Sequence, residues 1–357
     1  MRTFIRPTGF VDSPFGHDGK VARLAGGLNW FGLVELIRVE GCQRVAAELV
    51  PVEGIEHRFD EAMAADWARI TSPRTALQLG DRTVRLDQPQ VMAIINATPD
   101  SFSDGGSFAD AASAAEAGAN MAAQGAAIID VGGESTRPGA TNVWENDEIE
   151  RVLPVIQQLS AGGNAVSIDS RKAAVMSAAI GAGAKLVNDV SALTWDPQSA
   201  EIVAKAGVPA VLMHHQGDPQ SMQKDPRYDD VLAEVYLWLE ERIAAAEAAG
   251  IARGKILIDP GIGFGKTVAH NLELMNGLAL FHGLGCPIVL GASRKRMIGA
   301  LAGEAPADQR LPGSLALALK AVEQGVQVIR VHDVPETVQA LKVWRGLRDA
   351  ALTPRTA

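Results

Sequence analysis

The chain has 357 residues, 47% of them hydrophobic, with a formal net charge of -9. That is enough apolar material for one large domain plus an appendage, or for two domains, and the negative balance argues against nucleic acid or an anionic membrane as partner. Cys42 and Cys286 fit no metal motif, no stretch reaches the roughly 18 apolar residues of a membrane span, and the first residues lack the apolar core of a signal peptide, so the expected setting is reduced and cytoplasmic.

Residues 1–88 follow no regular beat. Residues 28–37 read as a short buried element. Residues 75–79 and 83–86 flank Gly80-Asp81 and read as a hairpin. A small α+β extension is expected, with its role left open. From about residue 90, short apolar strands alternate with Ala-rich helical patterns. The strands fall at 91–96, 127–132, 165–169, 186–190, 209–214, 256–259, 287–292 and 327–332, with helices at 109–124, 145–160, 172–182, 197–206, 229–249 and 313–324. Eight such units over roughly 250 residues predict a TIM (β/α)8 barrel spanning 89–350, followed by a tail at 351–357. An open doubly wound sheet is the rival.

The strands end in Asn96, Asp130, Asp169, Asn188, His214, Asp259, Ser293 and His332, residues that a plain core would not select. A closed barrel gathers such ends on one face, where the βα loops build the site. Singly, each reads more readily as a helix cap or a satisfied buried group than as a catalytic one. Together, Asp169, Asn188 and Asp259 can pair with the adjacent N–H donors of an aminopyrimidine ring, and Lys295 can donate to a ring carbonyl or nitrogen. Arg330 and His332 lie two apart and share one side of the last strand, as a phosphate grip requires. Asn96 sits on the neighbouring first strand and offers an amide oxygen suited to Mg²⁺. The spacing of Gly261-Ile-Gly-Phe-Gly265 is wrong for a dinucleotide fingerprint. His214 and His215 are expected on opposite faces of a strand, which disfavours a zinc site built from both.

Several strings together resemble the dihydropteroate synthase family of the folate pathway. They are Asn96-Ala-Thr-Pro-Asp-Ser-Phe-Ser-Asp-Gly-Gly106, Asp130-Val-Gly-Gly-Glu-Ser-Thr-Arg-Pro-Gly139, Ser167-Ile-Asp-Ser170, Asn188-Asp-Val190, Met213-His214, Asp259-Pro-Gly-Ile-Gly-Phe-Gly-Lys266, Ser293-Arg-Lys295 and Arg330-Val-His-Asp333. The resemblance covers about residues 90 to 350 and implies a TIM barrel and a homodimer. It implies that Asp169, Asn188, Asp259 and Lys295 hold a pterin ring, with Met213 and Phe264 lining its pocket. It implies that Asn96, Arg330 and His332 form a pyrophosphate and Mg²⁺ site, with Asn96 the metal residue. Phe102, Thr136, Arg137, Pro138 and Ser293 lie in segments implied to assemble a p-aminobenzoate site.

The implied reaction joins p-aminobenzoate to 6-hydroxymethyl-7,8-dihydropterin pyrophosphate, with Asn96, Lys295, Arg330 and His332 carrying the chemistry. Ala97, His215 and Arg296 depart from the expected family pattern, and the N-terminal extension is longer than the usual short form. A pterin-dependent methyltransferase on the same barrel would need no pyrophosphate grip. A non-catalytic pterin-binding paralogue would be expected to lose Asn96, Lys295, Arg330 or His332, all of which are present.

Overall fold

The computed structural model describes residues 1–97, 107–134, 142–217 and 222–353. The chain begins with β1 (Arg2–Val11), the two-residue β2 (Ala22–Arg23), β3 (Trp30–Glu40) and β4 (Gln43–Pro51), an antiparallel sheet centred on β3. The segment read at 28–37 is therefore the front of a long central strand. The sheet's partners have too little apolar alternation to be read alone, and β4 is almost wholly exposed. Helix α1 (Glu61–Thr71) follows, capped by Asp60, whose carboxylate accepts from Met63 N at 2.8 Å. Val34 and Leu36 of β3 pack with Met63 and Ile70 of α1 in a small core of their own, whereas Phe4, Ile37 and Val39 join the core of the barrel. The docking is aromatic and ionic. Phe4 lies 4.7 Å from Tyr236 between ring centroids, Arg2 donates to Glu240 at 2.8 Å, and Arg44 donates to Asp230 at 2.8 Å.

The expected hairpin is present as β5 (Leu77–Leu79) and β6 (Arg82–Val84), turning at Gly80 with φ of 66°. Its place is more informative than its shape. Leu77, Leu79, Val84 and Leu86 share one apolar cluster with Met92, Ile128, Ala165, Leu186, Val211, Leu257, Val289 and Val328. Those eight residues come from the entry ends of the eight barrel strands, so the hairpin plugs the base.

The barrel strands are β7 (Gln90–Asn96), β8 (Ile128–Gly132), β9 (Val166–Asp169), β10 (Leu186–Asp189), β11 (Ala210–Met213), β12 (Ile256–Asp259), β13 (Val289–Leu290) and β14 (Val328–Val331). They are parallel, in the order β12-β11-β10-β9-β8-β7-β14-β13. A bridge between Ile258 and Ile288, with Ile258 N donating to Pro287 O at 2.9 Å, brings the two ends of that order together. This is the expected TIM barrel, and the first and last strands are neighbours. The strands are buried on both faces, as parallel strands covered by helices must be.

The covering helices include α2 (Ser107–Ala123), α3 (Glu145–Ala161), α4 (Ala173–Ala182), α5 (Ser199–Ala206), α6 (Val231–Ala248), α7 (Val268–Gly277), α8 (Arg296–Leu301), α9 (Leu311–Glu323) and α10 (Val334–Leu352). Three of them, α7, α8 and α10, were not read from sequence. Each opens directly from a polar motif, which hides its start. The strand expected at 287–292 pairs with β14 at Val289 and Leu290 and reaches β12 only through Pro287 and Ile288, because the rest turns away into the following loop.

Side chains two residues apart on a strand point the same way. Two residues beyond the apolar base layer therefore lie Ile94, Asp130, Ser167, Asn188, Met213, Asp259, Gly291 and Arg330. Five of these eight are polar, so a mainly polar layer lies immediately above the apolar base.

Candidate active site

Asp130, fully buried on β8, is the hub of that polar layer. Its Oδ2 accepts from Arg330 Nε at 2.6 Å and from Asn188 Nδ2 at 3.0 Å. Arg330 Nη2 donates to Asp169 Oδ2 at 2.6 Å. Four residues from four strands are thus joined by direct hydrogen bonds. Burial opposes the charge on Arg330, but Asp130 and Asp169 together hold its pKa above the ordinary value. Burial pushes the Asp169 carboxyl up, Arg330 pulls it back, and the like charge of Asp130 adds to the rise; the net direction is up.

The hydrogen-bond polarity of this group follows from its chemistry. An ionised carboxylate only accepts, so Asn188 must turn its N–H₂ toward Asp130 and keep its oxygen for another partner. Asp169 Oδ1 and Asp130 Oδ1 are buried and lack a protein donor. Asp259 Oδ1 takes Gly261 N–H at 2.7 Å, and burial pushes its carboxyl up. Its Oδ2 faces Gly291, where an added Cβ would lie 3.6 Å away. The wall is rich in acceptors, and it suits a ring edge that presents several N–H donors.

Cationic and apolar groups complete the mouth. Lys295 Nζ lies 4.0 Å from the centroid of the Phe264 ring. Met213 is paired in register with Asp259 and is buried. Ser293 Oγ is 3.1 Å from His332 Nδ1, and Arg294 Nε donates to Asp333 Oδ2 at 3.0 Å, so two contacts tie the loop after β13 to the end of β14. Arg296, one of the departures, is exposed at the start of α8.

The structure brings together Asp169, Asn188 and Arg330 as one hydrogen-bonded group, Lys295 with Phe264, and Ser293 with His332. Asn96 ends β7, paired in register with Gly132. Phe102, Thr136, Arg137 and Pro138 lie outside the described residues. Beside them, Glu134 Oε1 accepts from Val143 N at 2.9 Å, and Lys172 Nζ donates to Glu134 Oε2 at 3.2 Å.

Two expectations change. Arg330 and His332 were expected to form one grip, but the guanidinium donates to two carboxylates while His332, one residue past the end of β14, turns to Ser293. His214 and His215 do not diverge: both rings contact Trp238, with centroids 4.9 and 5.9 Å away. Strand β11 stops at Met213, so strand alternation no longer governs them. His214 Nδ1 faces Lys266 Nζ at 2.8 Å, and no group of three or more His, Cys, Asp or Glu placed to hold a metal occurs among the described residues.

Sequence reasoning passed over Asp130 and Lys266 as site residues. The signal for Asp130 was present: it stands two residues past Ile128, as Arg330 stands two past Val328.

Residues 92–332 match the family described as pterin binding enzyme. The dihydropteroate synthase of Escherichia coli (strain K12) is 48% identical over 259 residues, covering 72% of this chain and 91% of that protein. The Xanthomonas albilineans dihydropteroate synthase solved with 4-aminobenzoic acid is 47% identical at a TM-score of 0.72, covering 76% of this chain and 98% of that one. The same enzyme in complex with 7,8-dihydropteroate gives 44% and 0.70, covering 77% and 99%. The chain belongs to the pterin-binding enzyme family and, within it, to the dihydropteroate synthases.

Proposed function

We propose that the barrel mouth joins p-aminobenzoate to 6-hydroxymethyl-7,8-dihydropterin pyrophosphate, releasing 7,8-dihydropteroate and pyrophosphate. The observation that carries this reading is the acceptor-rich group of Asp169, Asn188 and Asp259 at the strand ends, with the Lys295–Phe264 pair at the same mouth. Asp169, Asn188 and Asp259 take the N–H donors of the pterin, and Lys295 donates to its carbonyl or ring nitrogen. Met213 and Phe264 cover its faces.

The electron-rich pterin supports positive charge on its exocyclic methylene as the C–O bond to pyrophosphate breaks. The arylamine then attacks carbon and loses a proton, so no strong base is needed. Catalysis comes from positioning and from stabilising the departing anion. His332, held by Ser293, faces that anion, while Arg330 acts first by holding Asp130 and Asp169 in place. Asn96 is the residue that would hold Mg²⁺. Its amide oxygen is a hard donor, and one protein ligand suffices for an ion that takes its other ligands from phosphate and water. When bound, Mg²⁺ would neutralise charge on the pyrophosphate. Phe102, Thr136, Arg137 and Pro138, with Ser293, are proposed to receive p-aminobenzoate, and sulfonamides that mimic it would compete there. A homodimer and a cytoplasmic location are proposed from the family; among the described residues no helix is long and apolar enough to cross a membrane.

Purified protein supplied with the pterin pyrophosphate, p-aminobenzoate and Mg²⁺ should yield dihydropteroate detectable by mass. No product under these conditions would sink the proposal. Two variants dissect the site. Asp169→Asn places N–H₂ where the pterin also presents a donor; the mismatch costs about 1–3 kcal/mol, or roughly tenfold to a hundredfold in affinity. Calorimetry with a non-reactive pterin measures it, and unchanged affinity in the folded variant removes Asp169 from the pocket. His332→Ala should lower kcat by about a hundredfold while sparing affinity for a pterin without phosphate. Loss of that bare-pterin affinity would show that His332 belongs to the ring pocket instead.

A further inference from the structure

Lys266 ends the glycine-rich segment after β12, and no step above uses it. It is 3% exposed. Its ammonium faces three acceptors: His214 Nδ1 at 2.8 Å, Gly261 O at 3.0 Å and Phe264 O at 3.0 Å. An ammonium has three N–H donors, so all are used. Burial and the neighbouring charge of Lys266 push the His214 imidazole well below its ordinary range. It stays neutral and turns a lone pair to the ammonium.

Two of the acceptors lie inside the segment itself, and the third follows β11. The backbone of Gly261, with φ of 71°, presses so closely on β11 that an added Cβ would stand 1.8 Å from His214 O. Only glycine fits that passage. Phe264, whose carbonyl Lys266 holds, places its ring against Lys295. Tyr228 Oη donates to Gly265 O at 2.9 Å, and Gly263 N donates to Asn271 Oδ1 at 2.7 Å, so the segment is tied from both sides as well.

We propose that Lys266 is a positioning residue for the pterin pocket: its ammonium staples the segment from Gly261 to Lys266 onto the end of β11 and so sets where Phe264 and Lys295 meet the ring. The proposal rests on the pterin-binding reading of this mouth. The staple requires the charged form. A neutral amine keeps two N–H donors and turns a lone pair toward the third acceptor, which breaks one bond and adds repulsion. Burial pushes the Lys266 pKa down to about 7, Asp259 opposes the fall and Lys295 adds to it. His214 stays neutral, and Tyr228 is pushed up by burial, so neither titrates alongside it. As pH rises through the Lys266 titration the staple is lost and pterin affinity falls. By linkage, pterin binding on the alkaline side takes up a proton. Carboxylates of the pocket work the other way, since Asp259 and Asp169 become better acceptors as they lose protons.

The test is calorimetric titration of the full chain with 6-hydroxymethylpterin, from about pH 6 to about pH 9, in buffers of differing ionisation enthalpy. The wild type should bind more weakly on the alkaline side, with proton uptake there. Lys266→Met should bind about tenfold or more weakly at neutral pH, with no alkaline fall and no uptake, while its KM for p-aminobenzoate at saturating pterin stays near the wild-type value. Should Lys266→Met not fold, His214→Leu removes one acceptor and should weaken the pterin, whereas His214→Asn, which keeps an acceptor oxygen, should restore it. A Lys266→Met protein with wild-type affinity, or an alkaline fall that survives in it, overturns the role given to Lys266. A wild type that binds no pterin overturns the reading of the mouth and the proposal with it.

Discussion

Replacing Arg330 with methionine is expected to cost both stability and pterin binding, more than any other single change at the mouth. The side chain of methionine fills part of the same space but leaves Asp130 and Asp169 without their shared cation. Breaking a buried ion pair from one side costs about 3–5 kcal/mol, a large part of a typical domain's stability of roughly 5–15 kcal/mol. The sign of the pH dependence follows from linkage. Without Arg330 the Asp169 carboxyl, already pushed up by burial, would titrate still higher in the folded chain than in the unfolded one. Stability would then fall as pH rises toward the folded pKa of Asp169, because the unfolded chain gives up this proton first. The variant should therefore be nearest to wild type at about pH 5 and furthest behind at about pH 8.

Urea unfolding at both pH values, with pterin titration alongside, measures this. Arg330→Lys should fall between the two, since one ammonium cannot fork to two carboxylates as a guanidinium does. Wild-type stability in Arg330→Met would mean that the contacts of Arg330 with Asp130 and Asp169 carry no net energy.

The second large effect concerns the base. A chain starting after residue 86 loses Leu77, Leu79, Val84 and Leu86, each 2–4% exposed. At about 1.5–3 kcal/mol for each buried side chain, reduced because unfolded chains already bury some surface, the loss approaches the whole stability of the barrel. Such a truncation should not fold. One starting after residue 72 keeps the plug and loses only the sheet and α1. It should fold but expose Tyr236 and Phe281, which the sheet covers beside Phe4, and so should aggregate. Expression of both, read by circular dichroism and sedimentation, separates the roles. A cooperative, folded chain from residue 87 would show that the hairpin contributes little.

The eight strands were legible because each is an apolar run ended by a polar residue, a local signal that survives without a structure. The motifs that carry Asp169, Asn188 and Asp259 were legible, and two of these residues meet around Asp130 and Arg330. What Arg330 does was not. Its partners Asp130 and Asp169 lie 200 and 161 positions away, and nothing near Arg330 in sequence marks a contact across the barrel. Counting in twos from the apolar base would have placed Arg330 and Asp130 in one layer, but that base becomes visible only when the hairpin is seen to fill it. Lys266 was quoted within its motif and given no role, since its acceptors are two carbonyls and an imidazole nitrogen, which leave no trace in residue type.

The barrel's ladder is uneven around its circumference. β7 and β8 share five register pairs, whereas β12 and β13 meet through one bridge at Ile258 and Ile288. A cylinder yields first along its weakest staves, and local opening draws on the least-bonded elements. Here that line runs directly beneath Asp259 on one side and Ser293 with Lys295 on the other. Breathing along it would part Asp259 from Ser293 and Lys295 while the remaining seven junctions hold, so motion of the mouth would concentrate on one seam and leave the rest of the cylinder shut.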